Sequence, residues 1–227
     1  MILPRTRFER ITLYYKDKWS CYYIPIPKNA NTSVTKWFNG HSVFTKHGQQ
    51  YTGEVLEGVK FLVLRNPLKR IISMFFHMLQ EVNKGKASFK EYGFYFKKNH
   101  IEYPEFKISL VDRFNLFLDS IKKNKFYDLH IFPQIFFLKE TGLSPEDVDI
   151  LLFDDLERDI DNFCKKYGFI PTQELETLNI TKNKFGLGSQ QEEIQKYIDS
   201  HIDVQNKMKI LYQEDWDLYN KIKDSRS

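Results

Sequence analysis

The densest run of polar chemistry in the chain is Pro27-Lys28-Asn29-Ala30-Asn31-Thr32-Ser33, which follows the aromatic and β-branched stretch Trp19 to Ile26. A buried strand, a tight polar loop and a helix N-terminus in that order make a cradle for an anion. The first N–H groups of a helix have no partner within the helix, and its dipole places partial positive charge there. Lys28 adds a full charge, Thr32 and Ser33 add hydroxyl donors, and the small Ala30 lets backbone approach the ligand. The stretch is not a Walker A loop, which needs G-x-x-x-x-G-K-[ST] with Lys directly before the hydroxyl residue. Lys28 stands four residues before Thr32 with no glycine between them. An ordinary strand-to-helix turn capped by Thr or Ser would carry the same letters.

A second polar group follows the apolar run Val59 to Leu64: Arg65-Asn66-Pro67, then Arg70 and Ser73. Arg65, at a strand end, offers a planar fork of donors that matches a phosphate. Ser73, on the flank of the next helix, could donate to the same anion. An Arg in a surface salt bridge and a Ser on a solvated helix face are the plain alternative. Taken together, two anion sites at adjacent strand ends suit a nucleotide with phosphates at both ends.

The elements that must hold these residues are legible from their periodicity. Residues 19–26, 59–64 and 148–153 read as short buried strands. Residues 32–38 form a short helix stopped by Gly40. Asn66 serves as N-cap and Pro67 as first residue of a helix whose apolar stripe is Leu68, Ile71, Ile72, Phe75, Phe76 and Leu79. Arg70, Ser73 and His77 fall off that stripe. Further helices are expected over 108–123, 131–139 and 156–167, the last stopped by Gly168, and over 191–222 in one or two pieces. Residues 181–189 read as a polar loop. Continuous apolar strands alternating with helices predict an α/β fold: three layers, with a central, mostly parallel sheet covered on both faces. Ligands bind such sheets outside the C-terminal ends of the strands.

The chain has 227 residues, 41% hydrophobic and 16% aromatic, enough for one large domain, expected here over residues 1–227. No apolar run approaches the ~18 residues of a membrane-spanning helix. The first ten residues, MILPRTRFER, lack the apolar core of a signal peptide. The two cysteines are too few for a disulfide scaffold or a four-Cys zinc site. These features predict a soluble, cytoplasmic protein. The net charge of +4 is spread among acids, with no compact Lys/Arg stripe of the kind that grips nucleic acid. Oligomeric state is left open.

At this point the chain resembles a family. IPIPKNANTSVTKWF is similar to the 5′-phosphosulfate loop of the P-loop sulfotransferases, and FLVLRNPLKRIISMFF to their 3′-phosphate motif. The pattern R-[DN]-P-x-x-R-x-x-S resembles the carbohydrate branch. Asp128 to Gln134 is similar to its D-x-H-x-x-P-Q segment, Val148 to Leu156 to its strand ending in F-E-x-L, and Tyr212 to Asp215 to its Y-x-x-D ending. The departures are Asp154 for Glu and Ala30 where many members have Gly. Alanine is a mild change there if φ is negative and a strained one if φ is positive.

The resemblance implies a P-loop-type fold and a donor, 3′-phosphoadenosine 5′-phosphosulfate, leaving 3′-phosphoadenosine 5′-phosphate. It assigns Lys28, Asn29, Ala30, Asn31, Thr32, Ser33, Arg65 and Ser73 to donor binding. Lys28 would also stabilise charge on the leaving oxygen. The acceptor would be a small molecule or a glycan hydroxyl, and no metal is required. Its general base would be His47, between the two motifs, or His130, in the D-x-H-x-x-P-Q segment. Asp128 and Glu54 are carboxylate alternatives. Lys182, Lys184 and Ser189 would close over the 3′-phosphate, contact an anionic acceptor or simply be solvated. Two other classes stay open: a P-loop kinase, against which the missing GK[ST] counts, and a non-catalytic module for anionic polymers.

Overall fold

The computed structural model describes residues 12–16, 20–39, 49–50, 57–83, 109–122, 129–171, 174–175 and 188–226. Gly40, His47, Glu54, Asp128, Lys182 and Lys184 lie outside the described residues. The strands are β1 (Thr12–Lys16), β2 (Cys21–Ile24), β3 (Gln49–Gln50), β4 (Val59–Leu64) and β5 (Asp149–Leu152). The helices are α1 (Asn31–Asn39), α2 (Pro67–Asn83), α3 (Leu110–Lys122), α4 (Gln134–Glu140), α5 (Leu156–Tyr167), α6 (Gly188–Ser200), α7 (Ile202–Leu211) and α8 (Gln213–Asp224). Contacts group the chain into two compact units. The first holds Met1–Asn66, Pro133–Asn179 and Asp217–Ser227; the second holds Pro67–Phe132 and Ile180–Trp216.

The first unit is built on a sheet of order β3-β1-β2-β4-β5. β2, β4 and β5 run parallel, with Tyr23 beside Phe61 and Val63 beside Leu151. These are the three strands expected from their apolar runs, and β4 has the expected bounds. Phe61, Leu62, Val63 and Leu64 are all buried, as a strand covered on both faces requires. One face packs Cys21, Tyr23, Phe61, Val63 and Leu151 against Val34, Trp37 and Phe38 of α1 and Ile160, Phe163 and Cys164 of α5. The rings of Tyr23 and Phe61 stack with centroids 5.0 Å apart. Each such large side chain contributes about 1.5–3 kcal/mol on burial.

Parallel pairing of β2 and β4 begins at a close approach. Val59 N–H donates to the Ser20 carbonyl at 2.9 Å. Gly58 has φ +103, and a Cβ there would sit 2.2 Å from that same carbonyl oxygen, so only glycine fits. At the other side of the sheet, β5 is the last of the described strands. Its Leu152 N–H donates to Asp159 Oδ2 at 2.6 Å, and its Ile150 carbonyl accepts from Arg226 Nη2 at 2.7 Å. Arg226 Nη1 also reaches Asp159 Oδ2 at 2.5 Å.

The second unit is helical. The expected stripe of α2 (Ile71, Ile72, Phe75, Phe76, Leu79) joins Phe114, Phe117 and Leu118 of α3, Ile194 and Ile198 of α6, and Val204 and Met208 of α7 in one core. No helix among the described residues is long and apolar enough to cross a membrane.

Several expectations are corrected. The antiparallel β1 and the two-residue β3 were not anticipated. The helix expected over 131–139 is a 3-10 turn, Leu129–Ile131, and then α4, because Pro133 cannot continue the first into the second. The stretch 191–222 breaks twice, at His201 in extended backbone and at the buried Tyr212, giving α6, α7 and α8. Ser189 lies exposed in the first turn of α6, not in a loop. Gly168 ends α5 in the left-handed region, φ 68, as expected.

Candidate functional site

After β2 the chain stays buried through Ile26 and then turns within Pro27 to Ala30 into α1. The turn is closed by Asn29 N–H donating to the Ile26 carbonyl at 3.2 Å. Helix α1 begins when Val34 N–H donates to the Ala30 carbonyl at 3.0 Å. The first N–H groups of α1 belong to Asn31, Thr32 and Ser33, so these residues do stand at a helix N-terminus. Asn31 is already helical, and its Oδ1 accepts from Thr35 Oγ1 at 3.1 Å.

The turn holds two left-handed residues that are not glycine: Lys28 at φ 71 and Ala30 at φ 57. The strained case for Ala30 is therefore the real one. A side chain in this region costs about 1–2 kcal/mol, and such strain persists only where neighbours over-determine the backbone. Ala30→Gly is expected to raise stability by about 1 kcal/mol, read as a higher thermal midpoint; an unchanged or lower midpoint would show that the strain is not stored there.

What over-determines the turn is a set of buried amides. Asn29, fully buried, donates through Nδ2 to the Val63 carbonyl at 2.7 Å and to Gln134 Oε1 at 2.5 Å. Gln134, at the start of α4 and 1% exposed, uses Oε1 also to accept from Arg65 N–H at 2.9 Å. Its Nε2 donates to the Arg65 carbonyl at 2.9 Å. Arg65 in turn donates through Nη1 to the Lys28 carbonyl at 2.8 Å. Its guanidinium lies 4.4 Å over the Phe153 ring, just past β5, a cation–π contact. The ends of β2, β4 and β5 thus converge on one Lys and one Arg, beside a helix N-terminus. Cations and free helix N–H groups are donors of the kind that can bind an oxyanion.

Sequence reasoning placed Lys28 and Arg65 at neighbouring strand ends, and they are. It missed the work of Asn29 and Gln134. The available signal was the final Gln of the D-x-H-x-x-P-Q segment, a polar residue directly before the apolar run Ile135 to Leu138. Asp154, past β5, is exposed and accepts from Tyr219 Oη at 3.0 Å. Partial burial, with that carboxylate next, pushes the Tyr219 hydroxyl above its ordinary pKa.

The remaining candidates among the described residues, Ser73 and His130, belong to the second unit. Ser73 is half-buried on α2. His130 sits in the 3-10 turn with its ring 4.7 Å from that of His77. Arg70, off the apolar stripe, is nonetheless 1% exposed, and its Nη2 donates to the His130 carbonyl at 3.1 Å. Tyr212 Oη donates to the next carbonyl, Ile131, at 2.7 Å. Burial pushes that hydroxyl far up, opposed by Arg70 and reinforced by the buried Asp215. The carbonyls of His130 and Ile131 are therefore held by buried donors.

Comparison with curated proteins and with solved structures returns no match. A family model described as the sulfotransferase family matches residues 12–221. That span takes in every described strand from β1 to β5, the polar turn and both ends of the buried amide set. Because the match covers nearly the whole chain, this mixed α/β protein with its parallel three-strand core belongs to the sulfotransferase family.

Proposed function

We propose that the protein moves a sulfuryl group from 3′-phosphoadenosine 5′-phosphosulfate to an acceptor hydroxyl, that of a carbohydrate. The observation that carries this reading is the bond from Arg65 to the Lys28 carbonyl, which couples two cationic motifs at the ends of neighbouring parallel strands. The residues present fit a bisphosphorylated nucleotide: two cations and a helix N-terminus at a turn with two left-handed residues. Such a nucleotide, when bound, supplies the sulfuryl group and a stable leaving group.

Lys28 and the N–H groups of Asn31, Thr32 and Ser33 hold the 5′ end and favour negative charge as it grows on the leaving oxygen. Arg65 and Ser73 hold the 3′-phosphate. His47 or His130 takes the proton of the acceptor hydroxyl as general base. Fixed cations and helix donors cost little reorganisation during reaction, which is why such a site needs positioning more than covalent chemistry.

The test is a thermal-shift and calorimetric comparison of 3′-phosphoadenosine 5′-phosphate with AMP. At about 100 times its Kd the bisphosphate should add ~2.7 kcal/mol of stability, and AMP much less. Equal shifts would remove the 3′-phosphate site. Arg65→Ala should weaken the bisphosphate about 10–100-fold, the worth of a charge-assisted contact. It should also lower the melting midpoint, since Arg65 ties the Lys28 turn as well.

A further inference from the structure

Four residues in the first unit form a closed circuit, three through side chains and Lys28 through its main chain. Lys28 leads by the chain to Asn29, Asn29 bonds Gln134, Gln134 bonds the Arg65 main chain, and the Arg65 guanidinium returns to the Lys28 carbonyl. Two members are cations at the site and two are neutral amides, each no more than 1% exposed. The Gln134 amide pairs both the N–H and the C=O of Arg65, as a peptide of an adjoining strand would, one residue beyond the end of β4. Its oxygen also takes the Asn29 amide, so a single carboxamide meets the ends of two strands.

We infer that Gln134 is a positioning residue that sets the separation and orientation of Lys28 and Arg65. The inference rests on the sulfuryl-transfer reading for its effect on turnover, and on the circuit alone for its effect on the turn. An apolar residue of equal length would fill the same space. It could not hold Asn29 and Arg65 in register, and the left-handed bends at Lys28 and Ala30 would lose one of the contacts that fixes them. A misplacement of about 1 Å in such a site costs about 10²-fold in rate.

Gln134→Met keeps the length and removes all three bonds. Gln134→Glu keeps the accepting oxygen and loses the donated bond. At a temperature well below both melting points, Gln134→Met should lower kcat about 10²-fold and weaken 3′-phosphoadenosine 5′-phosphate about tenfold. Gln134→Glu should lie between it and the native protein. In the nucleotide-free protein, hydrogen exchange at Asn29 to Val34 should speed at least ~10-fold in Gln134→Met, with the amides of α5 still protected. Asn29→Ala should reproduce the effect, and the double variant should be no worse than the worse single one. Native kcat and affinity with only a lower melting point would make Gln134 merely structural and overturn the inference. If the native protein neither binds the nucleotide nor turns over, the sulfuryl-transfer reading fails. The exchange arm then decides the inference alone: faster exchange of the turn upholds it and unchanged exchange ends it. Should Gln134→Met not fold, the same readouts on Gln134→Glu and Asn29→Ala decide.

Discussion

Lys28→Ala is expected to lower turnover by about 10²–10³-fold, while the Kd of 3′-phosphoadenosine 5′-phosphate rises less than about tenfold. The asymmetry follows from when the charge is needed. A cation facing a leaving oxygen does most in the transition state, and removing one such donor costs about that much in kcat. The substitution is clean for a structural reason. Lys28 sits at φ 71 and bonds Arg65 through its main-chain carbonyl. Alanine keeps both the Cβ strain and that carbonyl, so the loss falls on the ammonium group. Lys28→Gly would confound the result by relaxing the bend. Steady-state kinetics with calorimetry on the same samples provide the check, and full activity in Lys28→Ala would end its catalytic role.

The second large effect concerns the base. His47→Ala should lower turnover by about 10²–10⁴-fold with nucleotide affinity nearly unchanged. The native rate should fall at acid pH, because an imidazole must be neutral to accept a proton, and that limb should vanish in the variant. His130→Ala should mainly raise the acceptor KM. Its turn is held through the carbonyls of His130 and Ile131, and its ring rests by His77, so the backbone there stays anchored without the imidazole. The reverse pattern, with His130→Ala inactive and His47→Ala tolerated, would move the base role to His130. A pH–rate profile for each of the three proteins distinguishes the cases.

The parallel strands could be read because Val59 to Leu64 is apolar without interruption, and the amphipathic α2 because its apolar positions recur at helical spacing. Local pattern sufficed there. It did not suffice for β1, whose residues Thr12 to Lys16 mix polar and aromatic types, or for β3, only two glutamines long. In the site, Lys28 and Arg65 were legible because each follows a buried strand. The left-handed backbone at Lys28 and Ala30 was not, since no glycine marks it. Nor was the Asn29–Gln134 bond, whose partners are 105 residues apart, or Arg70, a charged residue buried among helices. These depend on which distant segments meet, and no periodicity encodes that.

The outer margin of β5 bears on how the chain behaves at high concentration. A terminal strand with open N–H and C=O groups is a template on which another molecule can lay down its own strand. Here one of each is already consumed, by Asp159 from the following helix and by Arg226 from beyond α8. An incoming strand would have to displace a carboxylate and a guanidinium that also bond each other. Among the described residues, strand addition at this margin would therefore begin by breaking an ion pair, a cost that an open edge does not impose.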